Sequence, residues 1–252
     1  MPRATEASRA IRLLDILEKA HPEAECALHR QSAYELLMAT ILSAQCTDQR
    51  VNMVTPALFR RYPTPAALAA ADTHELETII RSTGFFRAKA RSLIGCAQAL
   101  VAGHGGTVPR SLGALVKLPG IGRKTANVVL SHAFGIAEGI AVDTHVLRVS
   151  NRLGIAKGND ATAVERQLMA LVPQTRWTRI TDLLIFHGRK VCDARRPACG
   201  TCPVLALCRW ESRQAWASVR PGERPPGTAA GRKPAAKGRT RKPSGPGRRR
   251  GR

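Results

Sequence analysis

Four of the seven cysteines fall within seventeen residues, as Cys192-x6-Cys199-x2-Cys202-x5-Cys208. An odd cysteine count with no secretory leader argues against a disulfide framework and leaves four thiolate donors for one metal centre. Structural zinc favours two close pairs gripping from two sides. Here only Cys199 and Cys202 are that close, and the spacing wraps one short loop around something larger, as a cubane iron–sulfur cluster requires. Zinc stays open as the other reading. Arg189, Lys190, Arg195 and Arg196 surround the loop, where they either balance an anionic cluster or reach for phosphates. Cys26, Cys46 and Cys96 are scattered among apolar residues and read as small buried hydrophobes.

A second candidate is Leu118-Pro119-Gly120-Ile121-Gly122-Arg123-Lys124-Thr125. Proline closes one helix, the two glycines allow a tight turn, and Ile121 can anchor the turn in a core. The amides of Gly120, Gly122 and the next helix's first turn then point outward together, a site for one phosphate. The hairpin is too short to wrap a triphosphate and follows a helix, so the phosphate should belong to a nucleic-acid backbone. Arg123 and Lys124 occupy a helix N-terminus, where the macrodipole disfavours cations by roughly 0.3 to 1 kcal/mol each, so they point to use. Cationic surroundings or partial burial make an amine a better nucleophile. Lys124 is therefore a candidate nucleophile or, alternatively, one more phosphate grip.

Nineteen residues on, Asp143 follows the apolar run Ile140-Ala141-Val142 and opens another helix. It can simply cap that helix. A carboxylate beside a cationic cleft can also take up a proton or balance positive charge in a transition state.

These groups must be positioned by helices. Apolar residues recur at helical spacing over residues 9–20, 34–44, 48–62, 73–82, 89–103, 111–118, 123–134, 144–153, 161–172 and 176–191, and period-two alternation is absent at useful length. Asp72 with Glu75 forms a capping-box pattern, Asp160 can cap the helix that follows, and Gly84, Gly103 and Gly154 suit helix ends. The chain reads as all-α.

Across 252 residues there are 40 Lys and Arg against 18 Asp and Glu, a formal charge of +22, with 44% hydrophobic residues. That composition closes a core and excludes a disordered or collagen-like chain. No apolar run approaches the roughly 18 residues of a membrane span. From Arg220 to Arg252 there are 12 basic residues and one acid among 7 Gly and 6 Pro, the composition of a disordered basic tail. The rest still carries 28 basic against 17 acidic residues. Attraction to a polyanion is thus a property of the body, and the tail either adds nonspecific affinity through counterion release or merely solubilises.

Leu42–Asp48 (LSAQCTD), Leu118–Leu130 (LPGIGRKTANVVL), Ala141–Arg148 (AVDTHVLR) and the 6-2-5 cysteine loop, in this order, resemble the endonuclease III family of DNA glycosylases over roughly residues 9–212. The resemblance implies two helical subdomains with a cleft between them. A six-helix barrel with a helix-hairpin-helix motif, residues 26–136, would face a lobe made of residues 1–25 and 137–212 that carries a [4Fe-4S] cluster on Cys192, Cys199, Cys202 and Cys208. Residues 213–252 would form the tail. The implied function is that of a bifunctional DNA glycosylase and AP lyase of base excision repair. It would act as a cytoplasmic monomer on damaged double-stranded DNA, nucleoid-associated if bacterial. By that resemblance the damaged nucleotide is turned out of the duplex. Lys124 attacks C1′, expels an oxidised pyrimidine and leaves a Schiff base, and β-elimination cuts the strand on the 3′ side while Asp143 assists. Gln45 would fill the gap in the duplex and Phe85 would act as the wedge. Gly120, Gly122, Arg123, Arg189, Arg195 and Arg196 would contact DNA, and His145 would contact its backbone or serve as an orienting structural histidine. Gly84-Phe85-Phe86-Arg87 departs from the better-known family versions, which leaves lesion preference open. The competing readings are a monofunctional adenine-type glycosylase, which lacks the lysine, and a noncatalytic helix-hairpin-helix or zinc-stabilised DNA binder.

Overall fold

Short polar side chains start most of the helices. Ser32, Thr47, Thr64, Asp72, Ser111, Asp143 and Asp160 each accept an amide hydrogen bond from the first turn they precede. The computed structural model describes residues 2–219, 223 and 225, and among these no strand forms. Twelve α-helices appear among them: α1 (Pro2–Ala20), α2 (Ala33–Leu42), α3 (Asp48–Arg61), α4 (Pro65–Ala69), α5 (Thr73–Ile80), α6 (Phe86–His104), α7 (Leu112–Leu115), α8 (Arg123–Phe134), α9 (Thr144–Leu153), α10 (Ala161–Leu171), α11 (Trp177–Lys190) and α12 (Arg213–Ala217). Among the described residues no helix is long and apolar enough to cross a membrane.

The apolar faces close two cores. The first gathers Leu36, Leu37, Leu58, Leu76, Leu93, Leu100 and Leu130 from α2, α3, α5, α6 and α8. The second joins Leu13 and Leu17 of α1 to Val149, Leu168 and Leu183 of α9, α10 and α11, with Cys192, Cys202 and Cys208 at its edge. Residues 10–24 thus share the second core with residues 140–208.

Four expectations need correction. Gly103 lies inside α6; the left-handed residue after the helix is Gly105, with φ 57°. The tail does not begin at residue 213, because Arg213–Ala217 is helical and buries Trp216 beside the turn at Cys199–Thr201. Beyond Val219 the proposed tail lies outside the described residues except Glu223 and Pro225. Cys96 is buried as expected, but Cys26 and Cys46 are only half-buried and line the cleft described below. Finally, α4 has no counterpart in the apolar pattern: Thr64 caps it, Pro65 opens it, and its five residues are too few to show a period.

Candidate active site and metal centre

Gly120 has φ 79°, and a Cβ there would meet the Ser92 side chain at 2.8 Å. Conformation and packing both demand glycine. Ile121 is buried, which pins the turn as expected. Gly122 differs: its φ is −92° and a Cβ would meet nothing within 4 Å. Neither backbone nor packing explains it, so the missing side chain leaves room for something outside the chain. Gly122 caps α8 without a side chain, and the amides of Arg123, Lys124 and Thr125 find no acceptor among the described residues. Amides left open in this way can receive an anion.

Arg123 is committed elsewhere. Its guanidinium donates to both oxygens of Glu165 on α10, at 2.7 and 3.1 Å, and Asn127 Nδ2 donates to the same buried carboxylate. Lys124, its neighbour, is exposed and has no hydrogen-bond or ion-pair partner among the described residues.

Asp143 caps α9 as expected: Oδ1 accepts from the amides of His145 and Val146, both at 2.8 Å. It also lines a cleft of about 480 Å³ together with Lys124, His145 and Arg189. The cap fixes the carboxylate, and Oδ2 has no hydrogen-bond donor among the described residues. His145 Nδ1 lies 3.1 Å from Arg148 Nη2. A guanidinium can only donate, so Nδ1 accepts and the proton of the neutral ring belongs on Nε2. Burial, aided by Arg148 and Arg189 and opposed by Asp143, pulls His145 below the usual histidine range. Arg189 spans the cleft to Asp48 at 2.7 Å.

Gln45, Phe85, Gly120, Gly122, Arg123, Arg195 and Arg196 are not on the cleft walls. Gln45 and Phe85 nevertheless share one feature: among the described residues they are the two non-glycine positions with positive φ, 52° and 47°. Such a backbone costs roughly 1 kcal/mol or more and clusters at functional sites. Phe85 is 67% exposed at the head of α6. Its loop is closed by buried Lys89, whose Nζ donates to Thr83 O at 2.7 Å. Sequence reading missed Lys89, because only the folded loop brings that carbonyl to it.

Cys192, Cys199, Cys202 and Cys208 line one small cavity with His187 and Trp210, and all are free thiols. Burial pushes Cys199 up to about 11 and Cys202 up to about 12. Thiols this reluctant to ionise gain thiolate character from a bound metal's charge. Among the described residues no three His, Cys, Asp or Glu side chains converge closely enough to hold one metal ion. Four thiols lining one cavity suit a cluster, in which each iron takes one thiolate. The loop is pinned by arginines the sequence had not singled out. Arg152 donates to Cys192 Sγ and to the carbonyls of Asp193 and Ala194, while its guanidinium lies 4.2 Å from the Trp210 ring centroid. Arg148 donates to the carbonyls of Cys192 and Gly188. Among the described residues Arg195 and Arg196 donate only their amides, to Asp193 Oδ1, and their side chains are exposed.

Residues 38–174 match the HhH-GPD superfamily base excision DNA repair protein, and residues 192–208 match the iron-sulfur binding domain of endonuclease III. In Synechocystis sp. a protein named endonuclease III is 53% identical over 205 residues, 81% of this chain and 94% of that protein.

The chain belongs to the endonuclease III family.

The endonuclease III of Escherichia coli K12 is 40% identical over 206 residues, 82% of this chain and 97% of that protein. The solved structure of a non-covalent endonuclease III–DNA complex is 46% identical with a TM-score of 0.77, covering 81% of this chain and 95% of that chain. A trapped endonuclease III–DNA covalent intermediate matches with the same figures. As an endonuclease III family member the protein is a bifunctional DNA glycosylase and AP lyase of base excision repair. It binds DNA and carries a [4Fe-4S] cluster, for which the four-cysteine loop is the fitting site.

Proposed function

We propose that Lys124 is the nucleophile and Asp143 its assisting carboxylate, and that the bases removed are oxidised pyrimidines. The observation that carries this reading is the cleft itself, where an exposed amine with no partner among the described residues and a carboxylate fixed by two amides face one space. The Lys124 amine attacks C1′ of an extruded nucleotide, the C1′–N bond breaks, and the base leaves with the bonding pair and takes up a proton. The attached nitrogen gives up one proton, the ring oxygen takes up one as the C1′–O4′ bond breaks, and the iminium that forms keeps one N–H. Loss of a C2′ proton then expels the 3′ phosphate. Asp143 offers its unpartnered Oδ2 to positive charge on the sugar and to the protons in transit.

The unpaired amides after Gly122 suit a backbone phosphate, and exposed Arg195 and Arg196 suit others. The left-handed backbones at Gln45 and Phe85 support roles as gap filler and wedge. Arg123 and Arg189 act on DNA from within their ion pairs with Glu165 and Asp48. The two cores support a division into residues 26–136 and residues 1–25 with 137–212. Because one chain supplies both Lys124 and Asp143, the protein works as a monomer, and we place it in the cytoplasm on nucleoid DNA. When bound, the cluster ties its four ligands into one rigid loop.

Borohydride should trap a covalent adduct with duplex DNA bearing an abasic site, and Lys124→Gln should abolish it. An adduct of undiminished yield in that variant would overturn the assignment.

A further inference from the structure

The turn Arg81–Thr83 packs against α3, the helix that Gln45 precedes, and runs through Gly84 and Phe85 into α6. Gly84 has φ 70° and ψ 158°, and Phe85 heads α6 in the left-handed region without a side-chain cap. A phenylalanine resists that backbone. Packing does not hold it there, since Phe85 is exposed.

Lys89, one turn into α6, supplies the restraint. Its amide donates to Phe85 O at 3.1 Å, and its Nζ reaches back to Thr83 O at 2.7 Å. The two bonds straddle Gly84 and Phe85. The far anchor is itself fixed, because Thr83 is buried and its hydroxyl donates to Ile80 O. Lys89 is 5% exposed and has no ion-pair partner among the described residues. Burial pulls its amine below the usual lysine range, and the thiol of Cys46, the neighbour of Gln45, opposes that shift. Lysine is almost never buried without a charged partner, and a methionine would fill the same space without an amine to desolvate. Core filling therefore does not account for Lys89. Prying a nucleotide out of the stack loads the wedge that does it, and a loop free to relax to an ordinary backbone would yield instead.

Resting on the reading of Phe85 as the wedge, we propose that Lys89 is a positioning residue for entry into the duplex, holding Phe85 upright while the damaged nucleotide leaves.

The test compares an abasic site in a fully paired duplex with the same site inside a bubble of mispaired bases, where little stacking has to be broken. The cluster-loaded protein, Lys89→Met, Phe85→Ala and the double variant are each read by the ratio of kcat/KM on the duplex to kcat/KM on the bubble. Lys89→Met should lower this ratio by about fivefold, the scale of one hydrogen bond. Phe85→Ala should lower it at least as far, and the double variant no further than Phe85→Ala alone, because the amine acts through the ring. Lys89→Gln, which keeps a donor on a shorter stem, should lower the ratio less and serves where the methionine variant does not fold. A ratio that holds in the Lys89 variants while Phe85→Ala lowers it would overturn the proposal, even if both rates fall together, since Lys89 would then only support the core. Losses that multiply in the double variant would overturn it too. An unchanged ratio in Phe85→Ala would instead sink the wedge reading, and the proposal with it.

Discussion

The two cores are closed in different ways. The first is filled by leucines from five helices, and its buried side-chain hydrogen bonds span less of the chain: Tyr34 donates to Tyr62 O, 28 residues away, and Lys89 to Thr83 O, six residues away. The second draws on residues far apart in the chain and leans on guanidinium groups. Arg9 donates to the carbonyls of Leu153, Gly154 and Leu207, Arg179 donates to the carbonyl of Ala24, and Arg148 and Arg152 hold the cysteine loop. It also encloses both buried histidines, His21 and His187, with rings joined at 3.0 Å. Apolar area suffices where many helices meet. Where a short irregular loop must be fixed, directional bonds and a cofactor take over.

Loss of a cluster ligand should have the largest effect. Cys199→Ser should lose iron and unfold the second core's loop while α2 and α6 keep their amide-exchange protection. Equal loss of protection in α6 would show that the cores are not separately closed. A smaller effect should follow pH. Burial holds His187 at about 4, below its ordinary 6.5, and lowers His21 as well. The unfolded chain therefore binds the extra protons between these values. Stability present above pH 6.5 should drain as pH falls towards 4, by about 3 kcal/mol at most for His187. Amide exchange in α11 would register the loss, and His187→Leu should flatten the slope; a slope that persists would assign the effect to other groups. The smallest change belongs to the first core. Asp72→Ala removes one amide acceptor at the head of α5 and should lower the unfolding free energy by about 1 kcal/mol, without moving iron content.

Local chemistry is legible in the order of residues. Asp72, Asp143 and Asp160 cap the helices they precede because a cap needs only an amide two or three residues ahead. The spacing of the four cysteines announces a metal loop for the same reason of proximity. Gly103 misleads, since a helix end is chosen by the residues that follow it, here Gly105 and Gly106. The short α4 is hidden because five residues cannot show a period.

Residue order is enough for the helical pattern, the capping aspartates, the metal loop and the family to which they belong. Folding had to decide that Arg123 is spent on Glu165, that Arg152 and Arg148 hold the cysteine loop, and that His132 meets Asp182. It also decided that Gln45 and Phe85 take left-handed backbones. Each of these arrangements either joins residues far apart in the chain or forces a backbone against its own preference. They are set by how the packed helices meet, and no local pattern records them.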